Sequence, residues 1–419
     1  MNSPEPRRGA DHNVMREVNR SLVLAVVKEG GRVSRASIAR ATTLAKPTVS
    51  AIVDELIADG LVREVGTGTT ATSGGRPPIM LEYNAASQFV LGVHIGARRT
   101  TVEVADGGGG EVARRQFETP SGPAAEALAA IAARARAAVP AGADLSAVGV
   151  VLPGLTDFHR GVCLLAPNLG WRDVPVAELL TLELGVPVHV HNAGQAAAVA
   201  ENLEGAGGKS EELALLYAGT GLSAGVVTGG RLLHGTGGTA GEIGHCRVPG
   251  GTEPCNCGNV GCLETVATGP ALVRFARKAI AAGARSTLGG SRGPQGQASR
   301  AGPALTDGFE PADVAAAARA GDAVAAEAVA DVGRNLGLAA SWVVNAYNPA
   351  VLVFGGGLTA IADLLLPHIE DGARRHALSP ALNGTEIRVS TLGADAEVRG
   401  AVLLALQQSE TYYRVVFRA

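Results

Sequence analysis

The sequence is poor in aromatic residues, in net charge and in long apolar runs. Aromatic side chains make up 3% of its 419 residues and the formal net charge is -3, which excludes a uniformly basic protein that coats nucleic acid but still allows one basic module. There is no uninterrupted apolar run of about 20 residues, the length that a membrane span requires. Residues 1–13 contain no apolar segment, which argues against a signal peptide. We therefore expect a cytoplasmic protein with no membrane partner.

Cysteine is also scarce, and its distribution is uneven. Four of the five cysteines fall between Cys246 and Cys262. In a cytosolic protein, such clustering favours a metal site over disulfides. Cys163, which lies far from the cluster, is expected to be a small buried apolar residue.

The first 84 residues show the order of elements that is typical of a winged helix-turn-helix. Apolar positions at helical spacing in "VMREVNRSLVLAVVKEGG" predict a first helix. The next segment, "SRASIARAT", has Ser34 as its N-cap, and "KPTVSAIVDELIADG" has Pro47 in its first turn and Gly60 after its last. "LVREV" and "IMLEYN" predict two strands joined by a long polar turn. We predict a DNA-binding domain over residues 14–84.

The third predicted helix has an apolar face and a polar face. Its apolar positions are Val49, Ile52, Val53 and Leu56. Short polar side chains and a lysine, placed on the other face or at the helix start, suit base edges and phosphates. The candidate DNA-contacting residues are Lys46, Pro47, Thr48 and Ser50 of this helix, and Arg76 at the tip of the wing, where a guanidinium could enter a minor groove. The alternative is a small three-helix module that binds a protein.

From about residue 88 the pattern changes to repeated strands and helices. "FVLGVHIGA", "TTVEVAD", "AVGVVLPG" and "VPVHVHN" predict strands, with an alanine-rich helix near residues 123–138. A second set follows, with "LALLYAGTGLSAGVVTGGRLL" and "AVLVFGGGL". Two similar α/β lobes are therefore expected. Residues 283–308, rich in Gly, Ser, Pro and Gln, are expected to form a flexible insertion, because this composition cannot build a core.

The segment "GEIGHCRVPGGTEPCNCGNVGCLE" has the spacing of a metal site. Its candidate ligands are His245, Cys255, Cys257 and Cys262. Four such donors match a closed tetrahedral zinc site, and since no position is left open, the predicted role of the single Zn²⁺ is structural. Cys246 is a competing ligand, although in an extended segment its side chain points away from that of His245. The alternative is that the cysteines are merely buried.

Together these motifs resemble the ROK family of repressors, uncharacterised open reading frames and sugar kinases, and in particular its repressor branch. "GEIGH" followed by "CNCGNVGCLE" is similar to the family signature. "LPGLTD" and "APNLGW" resemble its sugar-lobe segments, and "AGTGLSAGVV" and "FGGGL" its nucleotide-lobe turns. The resemblance implies an α/β fold with the two lobes of an actin-like, ribonuclease H-like ATPase, preceded by the winged helix. It implies a first lobe at 88–200 joined by a C-terminal helix at about 395–408, and a second lobe at 210–394.

The resemblance also implies which residues bind a sugar in the cleft between the lobes. Carried over by motif, the hydroxyl-binding residues are Asn168, Asn192, Glu242, His245 and Glu264. A monosaccharide presents a ring of donors and acceptors, and amides and carboxylates at fixed positions can bind them. Taken singly, each asparagine could equally be a turn residue and each glutamate a solvated surface charge.

The kinase chemistry of the family is not expected here. Phosphoryl transfer to a hydroxyl needs a carboxylate that accepts its proton. In kinases of this family that carboxylate is the aspartate of an Asn-Asp pair, whereas Asn192 is followed by Ala193. The phosphate loop similar to Asp-Ile-Gly-Gly-Thr is "HIGAR" here, with His94 and Arg98 at positions where a magnesium-site aspartate and a threonine would stand. One alternative base is His191, which shares a strand face with Ala193.

The sequence therefore predicts a sugar-responsive transcriptional regulator, a repressor, with no catalytic residues and no use of ATP. Its expected partners are operator DNA, a monosaccharide effector and further copies of itself in a homodimer or homotetramer. The alternatives are an active ATP-dependent sugar kinase with a DNA-binding domain, and a protein-interaction scaffold.

Overall fold

The N-terminal part of the chain folds as three helices and a small antiparallel sheet. The computed structural model describes residues 12–69, 77–290 and 308–409. The elements of this part are α1 (His12–Gly30), β1 (Val33–Ser34), α2 (Arg35–Thr42), α3 (Lys46–Ala58), β2 (Val62–Thr67) and β3 (Ile79–Tyr83). Ser34 caps α2 as expected, because its hydroxyl accepts the Ser37 N–H and Ser37 returns the bond in a capping box.

The apolar face predicted for α3 forms the core of this unit. Val49, Val53 and Leu56 are fully buried and Ile52 is nearly so. They pack with apolar residues of α1, α2 and the strands in one cluster. The packing fixes which side of α3 is turned outward.

The next part of the chain is built on a five-stranded sheet with the order β11-β7-β4-β5-β6. Its strands and helices are β4 (Phe89–Ile95), β5 (Arg99–Asp106), β6 (Glu111–Glu118), α4 (Ala124–Arg136), β7 (Leu145–Leu152), α5 (Val176–Leu184), β11 (Val188–Asn192) and α6 (Ala193–Leu203). Between β7 and α5, a three-stranded antiparallel sheet is formed by β8 (Leu155–Asp157), β9 (Val162–Ala166) and β10 (Trp171–Val174). Cys163 is fully buried in the core of this lobe, as predicted.

A second five-stranded sheet follows, with the order β14-β13-β12-β15-β16. The elements of this lobe are β12 (Leu213–Ala218), β13 (Leu222–Thr228), β14 (Arg231–Leu232), α7 (Gly269–Ala281), α8 (Pro311–Arg319), α9 (Ala323–Tyr347), β15 (Val351–Gly355), α10 (Ala362–His376), α11 (Ser379–Asn383) and β16 (Glu386–Val389). The last described element is α12 (Ala396–Ser409).

The two large sheets have the same topology. In each, an antiparallel meander of three strands is extended on one side by two parallel strands: β4, β5 and β6 with β7 and β11, and β12, β13 and β14 with β15 and β16. The parallel strands require helical crossovers, which α4 to α5 and α7 to α11 supply. This repetition is the two-lobed α/β architecture that the resemblance implies.

Helix α12 returns to the first lobe although the second lobe precedes it in the chain. It packs against β4, β7 and α6. The approach is so close that a Cβ atom added at Gly149 of β7 would lie 2.0 Å from the carbonyl oxygen of Ala401. Gly149 therefore allows α12 to lie directly on the sheet.

Residues 283–290 of the predicted insertion lie within the part of the chain that the structure describes. Ser286 and Thr287 donate hydrogen bonds to Asp322, and Leu288 is buried. Residues 291–307, the rest of that predicted segment, lie outside the described residues. None of the helices in the described ranges combines the length and apolarity needed to cross a bilayer.

Candidate functional site

Four side chains of the second lobe converge where the sequence predicts a metal site. The ligand atoms of His245, Cys255, Cys257 and Cys262 all lie within 4.8 Å of one another. Cys255 Sγ is 3.7 Å from His245 Nδ1, and Cys257 Sγ is 3.7 Å from Cys262 Sγ. Cys246 is exposed and does not belong to this group.

A tight turn between Pro254 and Val260 brings the cysteines together. These two residues form an isolated antiparallel bridge, and the Cys255 N–H donates to the Asn259 carbonyl at 2.8 Å. Gly258 and Gly261 adopt positive φ angles of 94° and 79°. Glycine adopts such angles without the steric cost that a Cβ atom imposes, so the chain can curl around one point.

The chemistry and spacing of this donor set fit a four-coordinate metal ion. In a tetrahedral site with zinc–sulfur bonds of about 2.3 Å, neighbouring sulfur atoms stand about 3.8 Å apart, close to the 3.7 Å between the sulfur atoms of Cys257 and Cys262. One imidazole and three thiols also form a donor set that selects zinc over hard cations such as Mg²⁺ or Ca²⁺. The four side chains can therefore hold one metal ion.

Glu242 lies against the outer nitrogen of the same histidine. Its Oε2 atom is 3.8 Å from His245 Nε2, and both side chains are about three-quarters buried, with 21% and 27% of their surface exposed. Burial, assisted by the negative charge of Glu264, raises the pKa of Glu242 to about 7. Three of the predicted sugar-binding residues, Glu242, His245 and Glu264, are thus neighbours.

Glu264 joins the metal cluster to the second sheet. Its Oε2 accepts the Leu222 N–H at 3.1 Å, and its Oε1 lies 3.7 Å from Cys255 Sγ. Glu264 lies two positions after Cys262, in the short 3-10 helix Leu263–Thr265. A displacement of the cysteine turn would therefore displace this carboxylate.

Asn192 is placed at the start of α6, where it acts as the N-cap. Its side-chain oxygen accepts the Gly194 and Gln195 N–H groups, and its Nδ2 donates to the Gly154 carbonyl at 2.8 Å. An amide nitrogen carries two hydrogens, so one remains for another partner. The neighbouring Ala193 is buried.

Asn168 has no hydrogen bond to the other four candidates among the described residues. It lies exposed in a 3-10 turn, Pro167–Leu169, between β9 and β10. Among the described residues, none of its hydrogen bonds connects it to Asn192, Glu242, His245 or Glu264. The structure thus brings together three of the predicted sugar-binding residues directly.

Gln195 is a residue that sequence reasoning missed. Its Nε2 donates to the carbonyl oxygens of Gly238 at 3.0 Å and Ala240 at 3.2 Å. These carbonyls lie in the loop that leads to Glu242, so Gln195 connects α6 of the first lobe to the acidic loop of the second. A glutamine in an alanine-rich helix gives no sequence signal of such a long-range bond.

His191 is completely buried in an aromatic cluster. Its ring centroid is 5.0 Å from that of Phe158 and 5.7 Å from that of His234, and Phe158 stacks on His234 at 4.1 Å. Neither ring nitrogen has a hydrogen-bond partner among the described residues. Burial, followed by the charges of His234 and His189, holds the pKa of His191 well below its usual value.

A cavity of about 460 Å³ lies between the two glycine turns of the second lobe and α12. Gly219, Gly356 and Gly357 line it, and so does Glu397 of α12. The Tyr217 hydroxyl donates to Glu397, and burial with this neighbouring carboxylate raises the pKa of Tyr217 well above its usual value. Among the described residues, no lysine or arginine lines this cavity, so none of them supplies a cation for a phosphate there.

The predicted DNA-contacting face of α3 is turned to solvent. Lys46, Pro47 and Thr48 are exposed and Ser50 is half-buried. The helix begins at Lys46 with Pro47 in its first turn, so the lysine stands at the N-terminal end, where recognition helices approach base edges. Arg76 lies outside the described residues.

Similarity to known proteins extends over most of the chain. The model of the ROK family matches residues 90–408. A putative xylose repressor from Caldicellulosiruptor sp. (strain Rt8B.4) is 29% identical over 404 residues, which cover 94% of this chain and 97% of the repressor.

Solved structures show the same relationship. The crystal structure of a ROK family transcriptional regulator, a homologue of the Escherichia coli MLC protein, matches with a TM-score of 0.81 and 27% identity, over 96% of this chain and 98% of that one. A ROK family glucokinase from Streptomyces griseus, in complex with glucose and AMPPNP, matches with a TM-score of 0.66 and 32% identity, over 76% of this chain and 99% of the kinase.

Proposed function

Since this chain belongs to the ROK family, we propose that it is a sugar-responsive transcriptional regulator, a repressor that binds a monosaccharide without phosphorylating it. The observation that carries the proposal is the extent of the similarity. The xylose repressor and the MLC homologue cover 94% and 96% of this chain, whereas the glucokinase covers 76%. The additional part is the N-terminal unit, in which α3 presents a polar face to solvent.

The proposed operator-binding surface is the exposed start of α3. Lys46 supplies a phosphate contact, Thr48 and Ser50 supply hydroxyls for base edges, and Pro47 fixes the first turn. Arg76 is proposed to enter the minor groove. A symmetric homodimer or homotetramer would place two copies of α3 on two half-sites of one operator.

The proposed sugar site is formed by Glu242, His245 and Glu264 with Asn192 and Asn168. Carboxylates accept hydrogen bonds from sugar hydroxyls, and the free N–H of Asn192 can donate to one. The partly buried setting strengthens such hydrogen bonds by excluding competing water. The sugar would be held between α6 and the loop that carries Glu242.

The proposed metal is one structural Zn²⁺ per chain. Bound by His245 and the three cysteines, it would supply a fixed charge that locks the turn and leaves no open coordination position for chemistry. His245 faces the cysteines with Nδ1 and Glu242 with Nε2. The metal would thereby orient a sugar-binding imidazole through its other nitrogen.

We propose that the chain has no kinase activity, because the residues at the positions of the base and the magnesium ligand cannot perform those roles. Ala193 offers no base, and His191 is enclosed on all sides, so neither can accept a proton from a substrate hydroxyl. His94, at the end of β4, also has a pKa lowered by burial and only partly restored by the charge of Glu397. A neutral imidazole is a poor replacement for a carboxylate at a magnesium site.

An ATP-dependent sugar kinase is the second candidate, favoured by the cavity between the glycine turns. Its volume of about 460 Å³ falls within the range of small-molecule sites. However, the carboxylate of Glu397 in its wall would repel polyphosphate. We therefore place the kinase second.

Three measurements on the full chain test the proposal. Thermal unfolding with D-glucose, D-xylose or N-acetyl-D-glucosamine reveals sugar binding as a raised melting temperature, because a ligand of the native state alone stabilises it. Selection from a randomised DNA library identifies an operator, and a coupled assay detects ADP. The proposal predicts a selected DNA sequence, one sugar that both stabilises the chain and changes its DNA affinity, and no sugar-dependent ADP. Turnover with no DNA selected would favour the kinase.

A further inference from the structure

Arg399, on α12, fastens the end of α6 to the turn between β5 and β6. Its Nε and Nη2 atoms donate to the two carboxylate oxygens of Glu204 at 2.9 and 2.6 Å. Nη2 also donates to the Gly109 carbonyl at 3.0 Å, and Nη1 bonds to the fully buried Glu103. With 14% of its side chain exposed, the guanidinium is held on every side, and its planar fork fixes three partners at once.

The β5–β6 turn is a rigid connector. The carboxylate of Asp106 accepts the Gly108 and Gly110 N–H groups, each at 2.9 Å. Gly109 has a φ of +86°, and its N–H donates to the Asp106 carbonyl. Since the turn is closed by its own hydrogen bonds, a shift of Gly109 would move the whole turn.

The other side of this turn rests on the segment that leaves the winged helix. The Gly107 N–H donates to the Ala85 carbonyl at 2.9 Å. A Cβ atom at Gly107 would stand 2.1 Å from the Tyr83 hydroxyl, so backbone and ring are in direct contact. Lys28 of α1 lies 4.5 Å over the same ring.

The neighbouring Asn84 is tied to the end of α3. Its Nδ2 donates to the Gly60 carbonyl and its N–H to the Leu61 carbonyl, both at 2.9 Å. Gly60 comes two residues after Ala58, where α3 ends. The exit segment is therefore bonded at Asn84 to the turn that follows the DNA-reading helix, and at Ala85 to the first lobe.

Helix α6 has the proposed sugar site at its other end. Asn192 caps its start, and Gln195 in its first turn holds the loop that leads to Glu242. A helix of 11 residues transmits displacement along its axis because its backbone bonds are internal. Glu204 is the residue at its C-terminal end.

We infer that Arg399 is a positioning residue that conveys sugar-dependent displacement of α6 to α3. The relay consists of Glu204, Arg399, Gly109, Gly107, Ala85 and Asn84. It rests on the proposed function and assigns its regulation: sugar held by the loop and by Asn192 selects one position of α6, and the relay passes that position to the end of the DNA-reading helix.

The first test removes the carboxylate that links α6 to the relay. Glu204→Ala leaves Arg399 its bonds to Glu103 and Gly109, and since the Glu204 side chain is 32% exposed, the fold is retained. Asp363→Ala is the matched control, because Asp363 binds Arg319 through the same two-bond geometry between α8 and α10. Amide hydrogen exchange in the full chain is expected to become several-fold faster at Asn84 and Gly107, whose N–H groups donate within the relay, in Glu204→Ala alone. Wild-type exchange at these amides would overturn the relay.

The second test measures coupling itself. The affinity of the wild type and of Glu204→Ala for the DNA selected from the library is measured with and without sugar. The sugar is whichever of glucose, xylose and N-acetylglucosamine raises the melting temperature of the wild type. Glu204→Ala is expected to keep DNA affinity without sugar and to keep the sugar-induced rise in melting temperature, while the sugar-induced change in DNA affinity falls several-fold. A sugar-induced change in DNA affinity that is as large in the variant as in the wild type would contradict the relay.

Failure of the proposed function is distinguishable from failure of the relay. A wild-type chain that selects no DNA and gains no stability from any of the three sugars refutes the regulator. The exchange experiment needs neither ligand, so it decides on the relay independently. Gly107→Ala provides a second variant, expected to reduce the coupling by displacing Tyr83 at the other end.

Discussion

His245 has one ring nitrogen 3.7 Å from Cys255 Sγ and the other 3.8 Å from Glu242 Oε2. One imidazole therefore belongs both to the candidate metal cluster and to the candidate sugar site. A rotation of this imidazole would therefore alter the metal cluster and the sugar site together. Metal content and sugar affinity should accordingly vary together.

Replacing one of the clustered cysteines should abolish both properties. We expect one zinc per chain in the wild type and a large loss in Cys257→Ser, because a strong thiolate donor is removed and metal affinity depends on the full set. Sugar-induced stabilisation should fall with it. Elemental analysis and thermal unfolding measure the two quantities.

Cys246→Ser is the matched control for this experiment. It changes the same atom type in the residue beside His245, but Cys246 is exposed and outside the donor group. Its zinc content should equal that of the wild type. Native protein purified without chelators and found free of zinc would remove the metal assignment.

Lys46→Ala should weaken operator binding without affecting sugar binding. If Lys46 contacts a phosphate, its loss removes about one unit from the salt dependence of the binding constant. Lys278→Ala, an exposed lysine on α7 of the second lobe, serves as the control. Binding titrations at several salt concentrations compare them, and equal slopes for all three proteins would show that α3 does not present Lys46 to DNA.

Restoring an acid beside Asn192 should not create a kinase. Ala193→Asp supplies a possible base, yet no lysine or arginine of the described ranges lines the cavity between the glycine turns, and Glu397 does. Stabilisation of the phosphates is therefore still missing. No sugar-dependent ADP is expected from the wild type, from Ala193→Asp or from the uncharged control Ala193→Asn. ADP produced by the aspartate variant alone would mean that the phosphate site works; ADP from the wild type would overturn the regulator.

Asp322 should stabilise the second lobe at neutral pH and cease to do so in acid. Burial opposes its ionisation, but hydrogen bonds from Ala325, Thr287 and Ser286 outweigh this and hold its pKa at about 2. The unfolded value is about 3.9, so the stabilisation is present above that pH and is lost as the pH falls towards 2. Asp322→Asn should lower the free energy of unfolding by about 1–2 kcal/mol at pH 7, and by less as the pH drops below 4.

This prediction can be followed through Trp342 of α9, the helix that Asp322 caps. The chain has two tryptophans, so a Trp171→Phe background isolates that signal during urea unfolding. Asp331→Asn, which alters a partly exposed aspartate of the same helix that pairs with Arg334, is the control. If the free energy of unfolding of Asp322→Asn stays below that of the wild type by a constant amount from pH 7 to pH 3, the charge of Asp322 is not responsible.

Local patterns in the sequence predicted much of this architecture. Ser34 and the apolar face of α3 obey rules that depend on residues within one or two turns, and the structure confirms them. The convergence of the four candidate metal donors was predictable, because three thiols and an imidazole at short spacing are typical of a metal site. In each case the information lay within about 20 residues.

Features that depend on distant contacts were missed. Strand β6, "EVARRQFE", is an exposed edge strand with charged residues on both faces, so it lacks the apolar alternation by which strands are recognised. Periodicity predicted that His191 shares a strand face with Ala193, which is wrong because β11 ends at Asn192 and Ala193 begins α6. It also could not indicate that Phe158 and His234 pack around His191. The hydrogen bond from the Thr287 N–H to Asp322, 35 positions away, was missed for the same reason.

The return of α12 to the first sheet has a consequence for the order in which the protein is made. Residues near Gly149 leave the ribosome about 250 positions before Ala401 does, yet their surface is covered by the helix that contains Ala401. At synthesis rates of about 5–20 residues per second, the apolar face of β4 and β7 stays uncovered for some tens of seconds until α12 has been synthesised. During that interval the N-terminal unit, which ends at Tyr83, has already been synthesised while the first lobe is incomplete. The proposed DNA-reading unit is therefore made before the proposed site that responds to a sugar.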